Sequence, residues 1–139
     1  MLDNPLVRDE SIKHLEFIQA VIARLSSGSF FMKGWGLTVT GAIYGFAANS
    51  LSWRTCIVGL LPALAFWFLD AYFLRQERLF RRLYEDARRF DGSVPPFSMD
   101  TTRYQHLETL RSAAFSRTLA PFYGFMMASG VVLFVTFTP

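Results

Sequence analysis

Three stretches of this chain are almost free of charge, and each reaches the roughly 20 helical residues needed to cross a bilayer core. They are 34–53 (GWGLTVTGAIYGFAANSLSW), 55–74 (TCIVGLLPALAFWFLDAYFL) and 119–137 (LAPFYGFMMASGVVLFVTF). The first is the least apolar and inserts best with partner helices. The segments outside them keep a helical period. Over 8–27, Ile12, Leu15, Ile18, Ile22 and Leu25 recur at three- and four-residue spacing and form one stripe. Arg8, Asp9, Glu10, Lys13, Glu16 and Arg24 occupy much of the remainder, and Gly28 is the expected stop. Three bases meeting three acids suit a helix that packs on protein better than one that lies on lipid. Beyond Leu74, no Gly or Pro interrupts 75–90, and Phe80, Leu83, Ala87 and Phe90 carry the stripe onward. The second span is therefore predicted to continue to about residue 90, until DGSVPP (91–96) breaks it. Ser98 or Asp100 can cap a further helix over 101–117. Pro121 starts or kinks the last span.

Composition sharpens this picture. The 139 residues make a single membrane domain; 52% of them are hydrophobic and 17% aromatic, fifteen being Phe. Outside 1–33 and 75–117 the only charged side chains are Arg54 and Asp70. That segregation marks an all-α membrane protein more firmly than the average does. Segment 1–33 holds four Lys and Arg residues and segment 75–117 holds nine, against Arg54 alone between the first two spans. Basic loops stay inside, so a bacterial inner-membrane protein is expected, with its N-terminus cytoplasmic and its C-terminus periplasmic. The expected fold has three transmembrane helices, an amphipathic N-terminal helix, and a cytoplasmic helical hairpin extending the second span. MLDNPLVRDE lacks the early apolar core of a secretory signal. A single cysteine, Cys56, excludes an internal disulfide and a cysteine metal cluster.

Candidate chemistry is concentrated in three features. In the first span, Gly34, Thr38, Gly41, Gly45 and Ala48 align small side chains on one face, and Gly124 belongs to a shorter row in the third. Such seams let helix backbones approach in lipid, within one subunit or between subunits. Asp70 is an acid inside a span, which usually has a partner or lines an ion path. Antiparallel pairing of the first two spans puts it near Lys33 in depth, with Thr38 or an arginine of 75–82 as other partners. It is read as an internal ion pair, a pore-lining or proton-sensitive carboxylate, or a protonated acid. Arg75, Arg78, Arg81, Arg82, Arg88 and Arg89 form a juxtamembrane basic patch. Anionic lipid head groups are its default partner, with a phosphate-bearing signal such as a nucleotide as the alternative. Glu77, Glu85 and Asp86 interleave with these arginines and favour pairs along the helix face. Only two histidines exist, His14 and His106, and neither has a ligand spacing. No phosphate loop or nucleophile elbow is present, so no catalytic residue, metal or cofactor is expected.

HLEFIQAVIARLSSGSFFMKGW (14–35) followed by FWFLDAYFLRQERLFRRLYEDAR (66–88) resembles a widespread group of small bacterial membrane proteins. Trp67, Asp70, Tyr72, Gln76, Glu77, Arg78, Arg81 and Tyr84 carry the resemblance. It implies that Asp70 belongs to a patterned unit with the helix after it, and it implies no activity. The architecture resembles that of membrane effectors of bacterial anti-phage defence. The leading expectation is a homo-oligomer that forms or gates a pore and receives a cytosolic protein or nucleotide signal. The alternative is a non-conducting anchor for a cytosolic partner; direct nucleic-acid binding is not expected.

Overall fold

After Pro5 no proline occurs until Pro62, and Pro5 itself sits in the first helical turn, where its missing N–H costs nothing. The computed structural model describes residues 5–46 and 53–137, and there the first element is one helix of 42 residues, α1 (Pro5–Phe46). The amphipathic helix and the start of the first predicted span are thus a single rod of about 63 Å. Gly28 does not stop it. A Cβ at Gly28 would fall 2.8 Å from the Phe73 ring, so the glycine serves a close helix approach inside the rod. The end of the predicted 34–53 span, with Ala48, lies outside the described residues.

The second helix, α2 (Trp53–Ala87), has 35 residues and contains Pro62. At about 52 Å it exceeds a bilayer core of about 30 Å by about four turns, and its charged end projects beyond the apolar part. It ends three residues before the predicted limit. Phe90 then takes φ 53°, a left-handed conformation usually left to glycine at helix ends, and Gly92 follows at φ 80°. A short helix, α3 (Leu110–Ala114), and the final helix, α4 (Leu119–Phe137), complete the chain, and no strand occurs among the described residues. The predicted 101–117 helix is replaced by a 3₁₀ turn at Thr102–Tyr104, an irregular stretch and α3. Hydroxyl side chains compete with the helix there. Thr109 accepts a hydrogen bond from the Ser112 amide, and Ser116 accepts one from the Leu119 amide. Each caps a new start.

The helices α1 and α2 pack antiparallel in a regular register. Gly28 meets Phe73, Lys33 meets Asp70, Gly36 meets Phe66 and Tyr44 meets Gly59. Helix α4 lies against both, with Tyr123 beside Gly36 and Gly130 beside Tyr44. Two cores result. One joins Ala63, Ala71, Ala113, Leu119, Tyr123 and Met126 along α2, α3 and α4. The other joins Ile18 and Ile22 to Leu79, Leu83 and Tyr104 beyond the apolar spans. The stripe on α1 therefore turns further than its apolar residues indicate: His14 is buried on it, whereas Ile12 is exposed. Helices α2 and α4 are long and apolar enough to cross a membrane.

Candidate functional site

A buried charge network links α1, α2 and α4. Asp70 is completely buried, one turn before the arginine-rich part of α2. Lys33 Nζ lies 2.7 Å from Asp70 Oδ2 and also donates to Ser29 Oγ at 2.9 Å. The Ser29 hydroxyl donates to Asp70 Oδ1, and the Tyr123 hydroxyl donates to Oδ2 at 3.2 Å. The four groups belong together for local reasons. Ser29 and Lys33 are one turn apart on α1 and share a face, while Tyr123 reaches in from α4. Trp67 stacks on the Tyr123 ring at 6.4 Å, and its indole N–H donates to the Ala114 carbonyl at 3.0 Å, which fixes that ring. Both carboxylate oxygens are satisfied, and Lys33, a quarter exposed, brings the compensating charge. A carboxylate in such a setting is held by pairing and hydrogen bonding together.

The other partners considered for Asp70 lie elsewhere. Thr38 donates back to the Gly34 carbonyl at 2.9 Å on an exposed face. The arginines turn to a carboxylate that sequence spacing does not reveal. Arg82 bonds Glu108 Oε1 at 3.0 Å, Arg78 lies 3.8 Å from Oε2, and Arg75 donates to the Glu108 carbonyl at 2.8 Å. Glu108 is nearly buried beneath them. Arg81 pairs with Glu77, Arg88 with Glu85 and Arg89 with Asp86, all along α2. The six guanidinium groups of the basic patch thus all engage protein oxygens.

The small-residue seam faces outward. Gly34, Thr38, Gly41 and Gly45 are exposed, and a Cβ added at Gly34, Gly41, Gly45 or Gly124 would meet nothing within 4 Å. The glycines at close helix contacts are instead Gly28, Gly36, Gly59 and Gly130. Spacing alone cannot separate the two sets, because it reports a shared face without saying which face is covered.

The segment beyond the spans is tied down by polar contacts. His14 Nε2 donates to the Ser98 carbonyl at 2.9 Å, and its ring packs 5.8 Å from that of Phe97. The Tyr104 hydroxyl donates to Asp86 at 2.7 Å; burial, then the Asp86 carboxylate, pushes its pKa up to about 12. The hydroxyl and amide of Ser93 lower that of Asp91. A cleft of about 320 Å³, lined by Glu10, His14, Asp86, Phe90, Val94 and Pro95 among others, opens here. No group of His, Cys, Asp and Glu side chains among the described residues could hold a metal ion. No protein-family model matches the chain, nor does any curated protein or solved structure.

Proposed function

We propose that the chain is an integral membrane protein that crosses the bilayer three times, self-associates, and forms or gates a pore. The register supports the third crossing: if the apolar part of α2 lies in lipid, the part of α1 from Lys33 to Phe46 beside it shares that depth. The basic segments 1–33 and 75–117 then fall on one side, the cytoplasmic one by the usual bias. The observation that carries the reading is Asp70, fully buried at the depth of the spans and paired with Lys33. An ion pair there is costly to build, and it latches three helices whose opening would expose a charged interior. The outward face of Gly34, Gly41 and Gly45 suits close contact with a second copy.

The test is leakage from vesicles containing the purified protein. Gly41→Leu and Gly45→Leu are expected to abolish both self-association and ion leakage while leaving the helical content unchanged. Asp70→Asn is expected to raise leakage through a loosened latch. Ion leakage that none of these variants alters would reject the pore. A second reading, a non-conducting anchor, draws on the inner-face segment, where every arginine of the patch engages a protein oxygen and a separate cleft opens between α1 and the 90–96 turn. Vesicles that stay tight at every protein density would favour it.

A further inference from the structure

Two hydroxyl groups in the apolar interior have no protein partner among the described residues: Thr40 Oγ1 and Tyr44 Oη. Thr40 is only 4% exposed. Other hydroxyls in the spans satisfy themselves by donating to their own helix: Thr38 to Gly34, Ser129 to Met126 and Thr136 to Val132. Thr40 does not. Tyr44 is wedged between Gly59 of α2 and Gly130 of α4, both so close that neither could carry a Cβ. The register places Thr40 midway between the Gly36–Phe66 and Tyr44–Gly59 contacts, hence opposite Ala63, and on α4 near Met126. Both are buried and apolar, so neither side chain offers a hydrogen bond. At the same depth Pro62 has no N–H to give the Val58 carbonyl.

Leaving one hydroxyl dry costs about 1–3 kcal/mol, and phenylalanine or valine would avoid that cost with the same shape. Polar groups retained in such a place bind water. They also lie in line with the charge network. Tyr44, Thr40, Gly36 beside Tyr123, Lys33 and Ser29 succeed one another on the inward face of α1. Successive positions four residues apart are separated by about 6 Å of rise along the helix axis. From Tyr44 to Ser29 the column runs about 22 Å, most of a bilayer core of about 30 Å.

We propose that this column is hydrated and relays protons between the two faces of the membrane, an inference that rests on the conducting reading above and names its ion. A proton arriving at Tyr44 joins a water there; each water or hydroxyl accepts one proton and passes on another, through Thr40 and Tyr123. The Asp70 carboxylate accepts the proton on Oδ2 from Tyr123, its carboxyl turns to present that same proton to Ser29, and Ser29 releases its own hydroxyl proton toward the inner side, so that the carboxylate is restored. One proton enters and one leaves, and every hydroxyl ends with one. Lys33 is the charged group facing Asp70, with Ser29 and Tyr123 as its polar neighbours. Its ammonium repels metal cations beside Asp70, whereas a hopping proton needs no lumen.

The test uses vesicles holding the full chain and a trapped pH dye, with a membrane potential set by potassium and valinomycin, and a parallel assay of sodium entry. Proton entry well above that of protein-free vesicles is expected, falling at least tenfold in Thr40→Val and in Tyr44→Phe, with sodium excluded. Both variants should keep the wild-type helical content, since each preserves the shape of the side chain it replaces. Proton entry equal in wild type and both variants overturns the relay, even if sodium or dye passes and the pore reading survives. Relay-dependent proton entry without dye or sodium leakage supports the relay and removes the wider pore. No flux of any kind overturns both.

Discussion

Asp70 shows what a single residue can tell in advance. Its place inside an apolar span announces a partner, and matching depths across an antiparallel pair puts Lys33 next to it, where the two lie 2.7 Å apart. Ser29 and Tyr123 are not legible in the same way, because a serine and a tyrosine are common in spans and only the three-helix packing aims them. Glu108 is hidden for a similar reason: Arg75, Arg78 and Arg82 reach it across 26 to 33 residues of chain, which no local spacing records. The Asp70 pair makes a quantitative prediction. Asp70→Asn or Lys33→Met alone should lower unfolding stability in mild detergent by about 3–5 kcal/mol, by stranding the other partner. The double variant should lose clearly less than the sum; strict additivity would show that the two do not act together. Tyr104 gives a pH prediction. Its hydroxyl has a pKa near 12 when folded against an ordinary value of 10, so the folded state holds its proton more tightly. The contact with Asp86 is fully present below pH 10 and is lost as pH rises toward 12. Amide exchange in 88–109 should accelerate in that window, and Tyr104→Phe should remove the step.

Among the elements, the last helix has the limits its apolar run predicts, because nothing in 119–137 offers an alternative to a buried or lipid-facing helix. The first helix departs from expectation at Gly28, where a glycine read as a stop is a contact with Phe73. A glycine signals small size or unusual backbone, and sequence does not say which applies. The 101–117 segment fails as a helix because Thr109 and Ser116 each offer an N-cap within it. These distinctions separate two kinds of glycine by experiment. Gly59→Ala and Gly130→Ala place a methyl group against Tyr44, and should lower the melting temperature of the monomer by several degrees. Gly41→Ala and Gly45→Ala meet nothing within 4 Å among the described residues and should leave it unchanged. Equal losses in both sets would mean that the outward face is already covered by α2 or α4.

At the scale of the whole molecule, two long helices run side by side from a charged end into an apolar end, and a third covers them. Charge segregation makes that arrangement legible: the charged positions of 1–33 and 75–117 come together because α1 and α2 are antiparallel and share one register. The account depends on all three apolar segments lying across lipid with that charged end on the inner side. Replacing Cys56 by alanine and placing single cysteines at residues 10, 92 and 139 allows the test in intact cells, with a maleimide that does not cross the inner membrane. The expected result is labelling at 139 in intact cells, and at 10 and 92 only after lysis. Labelling of 139 together with 92, or recovery of the chain in the soluble fraction, would contradict it.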